Sequence, residues 1–157
     1  MNIVIEMENG GLIEAELYPE TAPKTVENFV SLIKEGFFDG LVFHRVIEGF
    51  MIQGGGMDKD GKMRRAQSIK GEFDTNGFPN PLKHERGVLS MARTMFPNSA
   101  SSQFFIMHKD APHLDGQYAA FGRVMSGMDV VDAIAAVKTD MQDAPIEPQV
   151  IKTIRMA

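Results

Sequence analysis

The sequence predicts a mainly β fold, an antiparallel barrel or sandwich with two helices covering its ends. Three observations carry this expectation. Short segments of period-two alternation recur along the whole chain, turn-rich segments separate them, and only two stretches switch to a helical period. No internal repeat and no low-complexity tract interrupts the pattern.

The elements follow in order. "NIVIEMENGGLIEAELY" opens the chain with Ile3, Ile5 and Met7 on one face, then Leu12 or Ile13, Ala15 and Leu17. Asn-Gly and Gly-Gly between the two runs supply the positive φ of a tight turn, so the runs should pair as a hairpin. "TAPKTVENFVSLIKEG" places Val26, Phe29, Val30 and Ile33 at helical spacing. Pro23 suits its first turn and Gly36 its C-terminal end. Strands are expected at 41–47 and 50–54, and parity would put Arg45 on one face with Phe43 and Ile47. After a Glu48-Gly49 turn, Met51 and Gln53 would share one face, Phe50 and Ile52 the other. Residues 55–86 lack periodicity, which within a domain of this size suggests a functional loop system. Strands return at 87–92, 102–107 and 118–124, a second helix at 128–137 with Val131, Ile134 and Ala135 inward, and a last strand at 149–157. There Val150, Lys152 and Ile154 alternate. The total is about eight short strands and two helices.

Composition narrows the function. The 157 residues fit a single domain, 1–157, that can bury its own core. With 43% hydrophobic and 24% charged residues it reads as an ordinary soluble protein. The absence of cysteine excludes a disulfide framework, a Cys-ligated zinc and a Cys nucleophile, and fits a reducing, cytoplasmic setting. No run approaches the ~18 apolar residues of a membrane span. "MNIVIEMENG" lacks the basic region and cleavage site of a signal peptide. A net charge of −5 argues against a general nucleic-acid binder, and the basic run "KDGKMRR" reads as a solvated loop.

Familiar site types are missing. "GGGMDKDGKM" has no Gly-Lys-Ser/Thr and opens no helix; Asp58, Asp60 and Gly61 begin a calcium-like loop that never acquires its closing glutamate. None of the four histidines forms an H-x-x-x-H pair, and "NSASS" has no G-x-S-x-G setting. What stands out is Arg45 and Gln53 amid Phe50 and Met51, with Ala92, Gln103 and Phe105 in a second segment and His113, Leu114 and Tyr118 in a third. Core packing competes as an explanation for each phenylalanine, and Phe29, Phe104 and Phe121 are expected to be core. A surface ion pair with Glu48 competes for Arg45.

"FHRVIEGFMIQGGG", "GVLSMAR", "NSASSQFFI" and "LDGQYAAFGRV" resemble the motifs of the cyclophilin-type peptidyl-prolyl cis-trans isomerases, most of all the short bacterial members, over essentially the whole chain. The resemblance implies an eight-stranded antiparallel β-barrel capped by two α-helices, with the active groove on the outside of the barrel. It implies that Arg45 is the catalytic arginine and that Gln53 hydrogen-bonds the substrate backbone. Phe50, Met51, Phe105 and Leu114 would wall a proline pocket. Gln103 would be a polar groove residue, and Ala92 and Arg93 would bind peptide, partly through backbone groups. The implied reaction is non-covalent and cofactor-free rotation about X-Pro bonds. The implied partners are proline-containing peptides and unfolded proteins, met by a monomer without nucleic acid or membrane. Three positions depart from the best-known eukaryotic pattern: His113 for Trp, Tyr118 for His and Arg93 for Asn. Met95-Phe96 suggests a one-residue insertion in the following loop. Because the Trp supports cyclosporin, binding of that drug should be weak.

Overall fold

The computed structural model describes residues 1–157. Eight strands form one antiparallel sheet: β1 (Asn2–Met7), β2 (Leu12–Leu17), β3 (Leu41–Ile47), β4 (Met51–Asp58), β5 (Val88–Met91), β6 (Phe104–Met107), β7 (Ala120–Ser126) and β8 (Ile151–Met156). Their order is β3-β4-β6-β5-β7-β2-β1-β8, and the sheet curls until its two edges meet. That seam is held by the Val42–Val150 bridge and by the Gly40 and Phe43 amides, which donate to Ile151 and Gln149. The result is a nearly closed barrel, and of the two arrangements left open by alternation alone the barrel is the one formed.

Two helices pack against it: α1 (Pro23–Lys34) and α2 (Met128–Ala135). The expected stripe of α1 is inward: Val26, Phe29 and Ile33 are buried, and Phe29 lies 4.9, 5.2 and 5.0 Å from the rings of Phe38, Phe104 and Phe121. Val131, Ile134 and Ala135 of α2 are buried too. The helix start of α1 is unusual, because Ala22 at its cap position has no side chain able to bond the free amides. A carboxylate from far along the chain does so. Glu72, only 2% exposed, accepts from the Thr25 amide and hydroxyl, both at 2.7 Å, and from the Lys24 amide at 3.2 Å.

Alternation divides the apolar residues into two separate clusters. Phe104, Ile106, Ile52, Leu89, Met91 and Phe121 point into the barrel and join a core of 30 buried residues. Their immediate neighbours Phe105, Met107, Met51, Val88 and Ala120 point outward into a second cluster of seven, completed by Ala111 and Leu114. The groove discussed below belongs to this outer cluster.

Three strand expectations need correcting. Phe43 does not share a face with Arg45. In the β3–β4 ladder Phe43 pairs with Gly54 and Arg45 with Gln53, so two steps on β3 oppose one on β4 and His44 is the extra residue of a bulge. Phe43 and Val46 consequently both reach the core while Arg45 stays exposed. On β8 a register shift against β1 likewise buries Ile151 with Ile154, and Val150 is not the inward residue. The strand expected to end at residue 54 is longer: β4 continues through Gly55 and Gly56 to Asp58. A Cβ at Gly56 would stand 2.5 Å from the Gln103 side chain, so glycine there makes room for Gln103 to lie across the strand.

The loop system 59–87 contains one short 3₁₀ turn, Asp74–Asn76, and is pinned by polar groups. Buried Asn80 donates to the carbonyls of Glu72 and Ala120, both at 3.0 Å, and Asn98 receives the Gly71 amide. In the basic run, residues 60–65 are exposed as expected, but Arg64 is not simply solvated: its guanidinium donates to the carbonyls of Phe37 and Asp39, both at 2.8 Å. Asp58, the first residue of the calcium-like fragment, is occupied by its own turn, accepting the Asp60 and Lys62 amides at 2.9 and 3.0 Å.

Candidate active site

The site begins as a row across four strands. Register places Arg45 of β3 beside Gln53 of β4, Gln53 beside Phe105 of β6, and Phe105 beside Ser90 of β5. All four face outward. Arg45 Nη1 donates to Gln53 Oε1 at 3.5 Å, the outer limit of a hydrogen bond, so most of its donors remain available. Gln53 Nε2 donates to Gln103 Oε1 at 3.1 Å, which directs the Gln53 carbonyl toward Arg45.

Arg45, Phe50, Met51, Gln53, Ala92, Arg93, Phe105, Leu114 and Tyr118 line a depression of about 160 Å³. All nine were candidates from the sequence. Parity puts Phe50 on the face opposite Met51; the structure places it in the β3–β4 turn rather than in a strand, and from there it enters the groove. The turn is tied down by His108, whose Nδ1 accepts the Gly49 amide at 2.8 Å and whose own amide donates to the Phe50 carbonyl at 2.9 Å. His113 lies just outside the depression with its ring 5.9 Å from that of Phe50. Gln103 lines a second hollow of similar size, also about 160 Å³, which shares Gln53, Ala92 and Arg93 with the first and continues to Thr94, Ser99 and Ser101.

Arg93 has a role in the fold that its sequence position does not reveal. Its guanidinium lies between the rings of Phe73 and Tyr118, 4.6 and 4.7 Å from their centroids. It also donates to the Gln117 carbonyl from Nε and Nη2, at 3.1 and 2.6 Å, and to the Thr94 carbonyl at 2.9 Å. A planar, permanently charged group suits this double stacking. It ties the 113–118 segment to the loop after β5 and holds Tyr118 over the groove.

Sequence reasoning missed the support beneath Phe105. His84 stacks on that ring at 6.0 Å and 23°. Asp115 Oδ1 lies 3.0 Å from His84 Nδ1 and also accepts the His84 amide at 2.6 Å, which fixes the proton on Nδ1 and leaves Nε2 to accept from the Ser90 hydroxyl at 2.8 Å. His84 sits in the aperiodic loop, where no spacing could have marked it.

Burial holds His84 below the ordinary histidine value, with Asp115 opposing; His44 is lowered by burial first and by Arg45 second. Both therefore take up a proton more readily in the unfolded chain. Their contribution is constant above about pH 6.5 and acidification below that value favours unfolding. The urea midpoint should fall from about pH 7 to about pH 5. His84→Gln should lower it at neutral pH and flatten the dependence; parallel curves for variant and wild type would count against this.

A match to a family model decides whose site this is. The "Cyclophilin type peptidyl-prolyl cis-trans isomerase/CLD" family covers residues 2–156. The chain belongs to the cyclophilin family. Among curated relatives, peptidyl-prolyl cis-trans isomerase ppi1 of Schizosaccharomyces pombe is 47% identical, over 93% of this chain and 94% of that one. A peptidyl-prolyl cis-trans isomerase of Acinetobacter baylyi is 45% identical over 99% and 86%. Among solved structures, a Cryptosporidium parvum cyclophilin-type isomerase crystallised in the presence of the dipeptide Ala-Pro superposes with a TM-score of 0.85. It is 30% identical and covers 100% of this chain and 99% of that one. The fold and the enzyme class expected from the sequence are those of the cyclophilins, and the chain is a peptidyl-prolyl cis-trans isomerase.

Proposed function

We propose that this cyclophilin accelerates rotation about X-Pro bonds in unfolded or flexible segments by a non-covalent route centred on Arg45, and so assists protein folding. The observation that carries the mechanism is an exposed guanidinium on the rim of a small apolar depression, beside a glutamine already oriented by a second glutamine.

The chemistry follows from the amide. Partial double-bond character sets a barrier of about 18–20 kcal/mol, and exchange takes roughly 10–100 s unaided. No covalent bond breaks, so what is needed is preference for the twisted amide over both planar forms. On twisting, the proline nitrogen becomes pyramidal and regains its lone pair. Arg45 can donate to that lone pair, which is available only in the twisted form. Phe50, Met51, Phe105 and Leu114 hold the proline ring, and Gln53 holds a flanking carbonyl while the other side turns. An acceleration of ~10⁶ corresponds to about 8 kcal/mol. One charge-assisted hydrogen bond supplies about 1.5–3 kcal/mol. The fit of the pocket and its low-dielectric walls supply the remainder.

A protease-coupled assay on a proline tetrapeptide, run on wild type beside Arg45→Ala, tests this reading. The protein is further proposed to act as a cytoplasmic monomer on proline-containing peptides and unfolded chains. Cyclosporin should bind weakly, because the imidazole of His113 offers less apolar surface beside Phe50 than an indole. His113→Trp should tighten its dissociation constant by about tenfold, the scale of adding one well-placed aromatic surface. An unchanged constant would remove His113 as the cause.

A further inference from the structure

We infer that Met95 and Phe96 form an apolar handle for the substrate chain, gripping a hydrophobic side chain that flanks the proline bound in the groove. The inference rests on the isomerase reading and adds a sequence preference to it.

Single exposed apolar residues are common on protein surfaces. These two differ in being adjacent, large and held out by a braced loop. Met95 is 85% exposed and Phe96 68%. Ser99 Oγ accepts the Thr94 amide at 2.9 Å and the Thr94 hydroxyl at 2.8 Å, then donates to the Phe96 carbonyl at 2.6 Å. The Phe96 amide donates to Thr94 Oγ1 at 3.2 Å. Pro97 follows and restricts Phe96 to extended backbone. The backbone of the tip is thus braced, and both apolar side chains stand largely in solvent.

Its location points to the occupant. Thr94 and Ser99, the two ends of this loop, line the second hollow, which shares Gln53, Ala92 and Arg93 with the proline depression. The two hollows adjoin through these three residues, and the apolar tip is the turn between Thr94 and Ser99 on the border of the second. An extended chain advances about 3.3–3.6 Å per residue, so a polypeptide with its proline beside Arg45 passes the tip within a few residues. The hollow itself is lined mainly by polar groups, with Ala92 its only apolar residue. The tip is thus where the adjoining hollows can hold a large apolar side chain. Unfolded chains expose such side chains together with extended backbone that can follow the two hollows, whereas a folded surface presents them on backbone already paired in its own structure.

The test uses wild type and the Met95→Ser/Phe96→Ser double variant. The substrates are a proline tetrapeptide and peptides of about twelve residues in which one leucine is moved stepwise away from the proline, on either side, in a serine-glycine background. At one register the leucine should raise wild-type kcat/KM about tenfold over the all-serine peptide, the scale of partly burying a large apolar side chain. The double variant should lose that gain and keep its tetrapeptide rate and its melting temperature. A gain absent at every register, or one that survives in the double variant, overturns the inference. So does a wild type that self-associates through the tip in sedimentation while the double variant stays monomeric, since the handle would then serve a second copy. A wild type inactive on the tetrapeptide would instead overturn the isomerase reading on which this rests.

Discussion

Arg45→Ala should lower kcat/KM by roughly 10²–10³, about 2.7–4 kcal/mol, the scale of removing one preorganised donor. The loss should fall on kcat at least as heavily as on KM if, as proposed, Arg45 donates to a lone pair that appears only in the twisted amide. Stability should change little. Arg45 is exposed, makes no ion pair, and has only the long contact to Gln53 among its side-chain hydrogen bonds. Its removal leaves the Gln53–Gln103 bond in place. Arg45→Lys separates charge from geometry: a point charge on a flexible stem lacks the fixed fork of donors, so it should restore only part of the rate. An Arg45→Ala enzyme with wild-type activity in the coupled assay would remove the residue from the mechanism.

The largest effect on stability is expected at a residue outside the site. Glu72→Ala deprives the first turn of α1 of its only side-chain acceptor and leaves the Thr25 amide and hydroxyl buried without their partner. Hydrogen bonds to a charged group contribute about 1.5–3 kcal/mol, and a stranded buried donor has a cost of similar size. A loss of about 3 kcal/mol is expected, or roughly 6–12 °C in Tm for a protein of this length. Glu72→Gln keeps an acceptor and should lose about a third of that. Because Glu72 also anchors the loop that carries His84, the Ala variant should show faster hydrogen exchange in residues 72–86 before global unfolding. A melting curve indistinguishable from wild type would show that water replaces the carboxylate at no cost.

Most of the fold was legible because it is written locally. The first hairpin, both helices and the alternation of "SQFFIM" need only neighbouring residues, and Phe29, Phe104 and Phe121 are core as expected. The failures occur where alternation is broken by one residue. His44 on β3 and the shift near Ile151 on β8 are bulges, and a bulge is visible only from the partner strand. Phe50 departs from the face that parity gives it because it belongs to a turn, where parity has no meaning. All nine residues that line the depression were named through the family resemblance. Their supports were not. Glu72 is 47 residues from Thr25, and His84 31 from Asp115, so closure of the loop creates these contacts and no local pattern announces them.

The two clusters on opposite faces of the same strands have an evolutionary consequence. Phe104 and Phe105 are consecutive, yet the first is core and the second is pocket wall. On the proposed function, neighbouring codons answer to different selective pressures, one for folding and the other for which peptides are processed. Substitutions in the groove can accumulate with little disturbance inside the barrel, so a lineage can change clientele while its scaffold stays fixed. An insertion or deletion within β6 has no such freedom: it exchanges the two roles at once, and both are lost together.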